Sequence, residues 1–173
     1  MDDQANSMPG AVTLVLLTED YNARGAGFEH LRRKLYKFYE DKLPAGMIVE
    51  RNFFLREAVL VELELHIQAT VNEFANMSMA QKSMMETITK FLDPISGNSD
   101  GNGWEIGCMP DQYKIQSLLT SIENVISVDH IVIFAKILNK PDTPMVIFED
   151  IQTHPYAVPV SGNHEIILDC LEN

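Results

Sequence analysis

Apolar positions change period several times along this chain, and each change predicts an element. Residues 11–17, Ala-Val-Thr-Leu-Val-Leu-Leu, are a short β-branched and aliphatic run that predicts a buried strand. From Phe28 the apolar positions Phe28, Leu31, Leu35, Phe38, Tyr39 and Leu43 recur at three- and four-residue spacing, which predicts an amphipathic helix stopped by Pro44 and Gly46. Residues 47–53 predict another strand. Val59, Val61, Leu63, Leu65, Ile67, Ala69 and Val71 then alternate with Leu60, Glu62, Glu64, His66, Gln68 and Thr70. This period of two marks a long strand with one face in the core and one largely in water. Ser78 and Gln81 have capping-box spacing at the start of a second helix, whose stripe runs through Ala80, Met84, Ile88, Phe91 and Leu92.

That helix ends at Pro94, and a loop containing Gly97, Gly101 and Gly103 delivers the only tryptophan, Trp104. An indole buries a large apolar area through a ring with few rotatable bonds, so here it plugs a core or an interface. The stretch reads as a junction between two folded units. It does not suit a phosphate cradle, which needs a strand before it and a helix start after it. Pro110 and Asp111 open a third helix with Ile115, Leu118, Leu119, Ile122 and Val125 inward. Residues 128–138 and 145–151 predict strands on either side of a two-proline turn at 140–144. Residues 154–159 read as irregular, Ser161, Gly162 and Asn163 as a turn, and His164 to Leu168 as a closing strand.

The predicted fold class is α+β: a β-α-β-β-α two-layer sandwich, both helices on one face of an antiparallel sheet, followed by a small α-β-β-β unit. The expected divisions are a flexible lead at 1–9, an α+β domain at 10–97, a Gly-rich junction at 98–109 and a small α+β domain at 110–173. The last is near the size at which a lone core is marginal, which predicts that it docks on the first unit or on a partner.

Charge narrows the choice of partners. The 173 residues carry a net charge of −12, which opposes a general role on nucleic acid or an anionic membrane. Residues 23–51 nevertheless hold seven Lys/Arg against four acids, and no Lys or Arg follows Lys140. Arg32, Arg33, Lys34 and Lys37 fall between the apolar positions of the first helix and give it a basic outer face. Most such faces are simply solvated, but this local reversal of sign suits docking onto a negative surface of a neighbouring copy or another subunit. Cys108 and Cys170 are too few for a disulfide framework and read as reduced thiols. No run reaches the length of a membrane span, and the acidic, polar start is neither a signal peptide nor an anchor.

Chemistry is sparse. His164-Glu165 resembles the opening of a zinc-peptidase motif, yet Leu168 stands where the second histidine belongs. His154, His164, Glu149, Asp150 and Cys170 offer ligand types without ligand spacing. Cys108, near a helix start, lacks a base implied by spacing. Glu62 and Glu64 share a strand side, and their apolar neighbours make that side a solvent face. No catalytic, cofactor or metal residue is assigned. The rival reading is a small cytosolic ligand-binding protein or enzyme of α+β fold, with Cys108 and the acidic C-terminal region lining a pocket.

Several stretches, taken in order, carry a resemblance. They are Pro9-Gly10-Ala11-Val12-Thr13-Leu14-Val15-Leu16, Leu43-Pro44-Ala45-Gly46, the long alternating strand, Phe91-Leu92-Asp93-Pro94, Gly103-Trp104-Glu105-Ile106-Gly107 and Val128-Asp129-His130-Ile131. Pro159-Val160-Ser161-Gly162-Asn163-His164-Glu165-Ile166 completes the series. Together they resemble the landmarks of the baseplate J-like family, from about Pro9 to Leu168, and their order carries the likeness more than any one motif. The resemblance implies a non-enzymatic structural subunit of the baseplate in a contractile phage tail or tail-like injection system. Such a subunit is assembled in the bacterial cytoplasm and joins neighbouring wedges, and further copies of itself, around a hub. Family members often carry an arginine where this chain has Cys108, so a contact made through that arginine has no counterpart here. They are also commonly longer, with the matched part at their C-terminal end, so the chain reads as a fragment or a short relative. The expected partner-facing residues are Arg32, Arg33 and Lys37 on the first helix, with Trp104 and Tyr113 at the junction; no cofactor, nucleic acid or membrane insertion is expected.

Overall fold

The computed structural model describes residues 10–19, 26–138, 144–148 and 154–171. The chain is α+β and divides into two compact units, Met1–Ala58 and Val59–Asn173. The polar lead at 1–9, the turn at 140–144 except Pro144, and the last part of the strand expected at 145–151 lie outside the described residues.

The first unit is a β-α-β crossover. Strand β1 (Val12–Leu16) and strand β2 (Phe53–Glu57) pair in parallel, Val12 opposite Phe53, with helix α1 (Ala26–Glu40) between them in sequence. A parallel pair needs such a crossover, since no tight turn reverses the chain twice. Phe28, Phe53, Leu55 and Ala58 are buried. Tyr39 stacks against Phe53 with ring centroids 5.2 Å apart, and the Leu55 N–H donates to the Tyr36 hydroxyl at 3.1 Å. Two expectations fail. β1 is exposed or half-buried along its length, because a two-stranded sheet has no second layer to cover both its faces. Residues 47–52 form no strand: 50–52 are a turn, and an isolated Val49–Phe53 bridge is the pairing there. There the Asn52 side chain replaces a ladder, accepting from Ile48 N at 2.6 Å and donating to Gly46 O at 2.8 Å.

The second unit is built on strand β3 (Val59–Val71), buried at Val61, Leu63, Leu65, Ile67, Ala69 and Val71 as its alternation predicts. On one edge it pairs antiparallel with β4 (Val125–Ile137), which carries the two-residue β5 (Val146–Ile147). On the other edge it pairs in parallel with β6 (Ala157–Ser161) and then with β7 (Glu165–Cys170). The sheet is therefore mixed, where an antiparallel one was expected. Residues 154–156 are irregular as expected, but 157–159 belong to β6, where Pro159 fits because β6 is an edge strand.

Helices α2 (Met77–Phe91) and α3 (Gln112–Thr120) supply the second layer, α2 against β7 and α3 against β4. Ala80, Met84, Ile88, Phe91 and Leu92 are all buried, so the predicted stripe holds. The capping box does not form: Ser78 lies inside the helix and the N-cap is Asn76, with no side-chain cap bond. Gln81 instead donates to the Ile166 carbonyl of β7 at 3.2 Å. On α3, Asp111 caps by accepting from Tyr113 N at 2.9 Å. Gln112 and Gln116 donate to the Ile131 and Val128 carbonyls of β4, at 3.2 and 3.0 Å. Glutamines on both helices thus supply donors to the flanking strands, where an uncovered sheet edge would recruit another strand.

The units do not divide at residues 98–109, because that loop is tied into the second unit at both ends. The indole Nε1–H of Trp104 donates to the Phe91 carbonyl at 2.9 Å, and its ring meets Phe91 edge-on at 5.2 Å. Asn98 N donates to the same carbonyl at 2.8 Å, so the loop caps the C-terminus of α2. Gly107 N donates to Ala157 O at 2.8 Å, fixing the far end to β6. A Cβ at Gly97 would overlap the carbonyl oxygens of Phe91 and Asp93, and Gly103 has φ +83 with Ile95 O in the same relation. Trp104→Ala is expected to destabilise the chain by about 3–5 kcal/mol in urea denaturation. In the native protein, the intrinsic fluorescence should be blue-shifted and weakly quenched by acrylamide, and it should become accessible only on unfolding.

Candidate interaction surfaces

On α1 the register sorts the basic residues. Arg32 lies four positions after Phe28, on the inward side, half-buried with its Nη2 2.9 Å from Glu29 Oε2. Arg33, Lys34 and Lys37 are exposed on the opposite side. Of the three expected helix residues, Arg33 and Lys37 therefore share a solvent face and Arg32 does not. Phe38, expected inward, is 53% exposed at the margin of that face, with Lys42 Nζ 4.1 Å from its ring centroid. Spacing alone placed Phe38 inward; the stripe is centred on Phe28, Leu35 and Tyr39 and leaves it outside.

In the second unit the even-numbered residues of β3 share a face with their partners in β4 and β7. His66 lies opposite Val132 and Glu165, and Gln68 opposite His130 and Ile167. His66 Nδ1 is 3.4 Å from Glu165 Oε2, and its ring meets Phe134 edge-on at 4.8 Å. Gln68 Nε2 donates to Asp169 at 3.0 Å, and the Thr70 hydroxyl donates to Asp129 at 2.8 Å. Ile167, between Glu165 and Asp169, is 55% exposed. None of these positions was singled out from sequence as partner-facing. The only signal was an apolar residue out of phase between two acids. Glu62 and Glu64 are half-buried on this face, not in open solvent.

The two expected junction residues do not form one surface. Trp104 is 9% exposed and belongs to the core of its unit, whereas Tyr113 projects from α3 at 79% exposed. The indole is consumed in capping α2, which takes it from any partner-facing role. Cys108 is exposed with its Sγ 3.9 Å from Glu105 Oε2. No group of three or more His, Cys, Asp and Glu side chains suited to a metal occurs among the described residues, which leave out Glu149 and Asp150. Nor is any described helix long and apolar enough to cross a membrane.

His164 has a structural duty. Where β6 gives way to β7, residues 162–164 lie opposite only Glu64 and Leu65, a bulge of one residue. Gly162 N donates to Leu63 O at 2.9 Å, and the Leu65 N–H donates to His164 Nδ1 at 3.1 Å in place of a backbone carbonyl. Nδ1 is therefore unprotonated, and Nε2 is 2.8 Å from the Ser161 hydroxyl. A Cβ at Gly162 would crowd the Glu62 and Glu64 side chains and the Leu63 carbonyl, at 2.9 to 3.0 Å. Burial pushes the imidazole down to about 4 from its ordinary 6.5.

Because the unfolded chain binds this proton more readily than the folded one, His164 makes stability rise with pH between about 4 and 6.5. Its contribution is complete above 6.5 and is lost as pH falls through that window. Urea unfolding at pH 5 and 7.5 should show a drop at the lower pH that shrinks in His164→Ala. That variant should also cost about 1–3 kcal/mol at pH 7.5 by leaving the Leu65 N–H unpaired.

A scan of the chain against models of known protein families finds no match, and no curated protein sequence matches it.

Proposed function

We propose that this chain is a structural subunit, or the C-terminal part of one, of the baseplate of a contractile phage tail or tail-like injection system. It makes contacts between neighbouring wedge subunits and with further copies of itself, is assembled in the bacterial cytoplasm, and ends up in the particle. The observation that carries this reading is the ordered series of motifs, from Pro9 to Ile166, that resembles the baseplate J-like family. Two of those motifs have scaffolding duties in the fold. Gly103-Trp104 caps α2, and Ser161-Gly162-Asn163-His164 splices β6 to β7 along β3. A further support is that each compact unit carries an exposed face mixing charge with a bare apolar side chain, Phe38 in one and Ile167 in the other. Mixed faces of this kind suit a protein that works by holding neighbours.

Mass spectrometry of sedimented sheath-and-tube particles from the source cells tests the proposal. Peptides of this chain should appear in fixed ratio to the tube protein, and peptides joined upstream of Met1 would mark it as part of a longer subunit. Absence from intact particles, with the chain abundant in the soluble fraction, would overturn the assignment.

A further inference from the structure

We propose that the cationic face of α1 in one copy docks head to tail on the acidic open face of the β3–β7 pair in a second copy. Charge is divided unevenly between the compact units. Residues 1–58 hold eight Lys/Arg and nine Asp/Glu, and residues 59–173 hold five and sixteen. Within the nearly neutral unit, α1 gathers Arg33, Lys34 and Lys37 on its solvent side, next to the exposed Phe38. On the acidic unit the exposed Ile167 is bracketed on the same face by Glu165 and Asp169.

Each patch sets an exposed apolar side chain beside charges of one sign, and the signs are opposite. Among the described residues no carboxylate pairs with Arg33, Lys34 or Lys37, and Glu165 and Asp169 meet only His66 and Gln68, not a Lys or Arg. Pairing either patch with the same patch on another copy would set like charges against each other, so the contact joins the α1 face of one copy to the sheet face of the other. A pair joined by one such contact keeps a free sheet face on one copy and a free α1 face on the other, so the contact closes into a ring of two or more copies or runs on as an open chain. The apolar area is small, so the single contact is weak and salt-sensitive, and closure of a ring strengthens it by multiplicity.

The pairing deepens the assembly reading and rests on it for the choice of a second copy as occupant. Sedimentation of the isolated chain reads the pairing alone, whereas particle content reads the baseplate assignment, so the two can fail separately. Sedimentation velocity over about two decades of concentration should show self-association at low salt that high salt removes. The double reversals R33E/K37E and E165K/D169K should each weaken association by about tenfold or more. An equimolar mixture of the two should restore association, because each reversed face then meets a face of opposite sign on the other variant. All four positions are exposed, and circular dichroism verifies folding; if a double variant unfolds, the single reversals Lys37→Glu and Glu165→Lys carry the same test. A wild-type chain that stays monomeric at low salt would overturn the pairing, as would reversals without effect or a mixture no stronger than either variant alone.

Discussion

Most of the second unit depends on one requirement, that a thirteen-residue strand, β3, find hydrogen-bond partners along both edges. β4 meets it along one edge over nearly the whole length. Along the other edge no single strand does so; β6 and β7 share the work and are offset by one residue at the bulge. The Leu65 N–H falls in that gap, and the His164 imidazole accepts from it. A buried donor left without a partner costs more than most single contacts return, so the Ser-Gly-Asn-His sequence at the bulge follows from the ladder it interrupts.

The same requirement explains the helices. With β3 in the centre, β4 and β7 become flanking strands whose free groups would template further strands. Gln81 on α2 and the pair Gln112 and Gln116 on α3 reach carbonyls of β7 and β4 while the apolar stripes of both helices fill the core. The helix positions are thereby fixed by directional bonds as well as by burial. The loop between the helices then closes on Trp104, whose indole N–H meets a carbonyl that the end of α2 leaves without a helical partner.

Structure and proposed function meet at the faces that this scaffold leaves open. Packing claims one side of the sheet. The other keeps His66, Phe134, Glu165, Ile167 and Asp169 displayed in fixed register by three strands. α1 presents its cations on the side opposite Phe28, which is buried, and Tyr39, whose ring meets Phe53. Rigid display lowers the ordering cost of a contact, which matters for a protein whose task is to hold neighbours.

The period of the apolar positions by itself determined β3 and the stripe of α2, and composition determined the acidic imbalance, since these are local properties of spacing and composition. Of the inward positions expected for α3 only Ile115 and Leu119 are buried on it, the helix ending at Thr120 and Val125 opening β4. The loop's own residues pointed to an indole that plugs a core or an interface, and only the fold put it in the core. Tertiary structure alone decided what lies beside what. Strand direction in the mixed sheet, the boundary at Ala58 and Val59, and the diversion of Gln81 from a cap to a strand carbonyl all depend on partners remote in sequence. Arg32 and Phe38 exchanged their expected sides because helical spacing defines a stripe, while the packed neighbours choose its centre. Leu65 and His164 are 99 residues apart in sequence, and no local pattern in either segment announces the hydrogen bond that joins them.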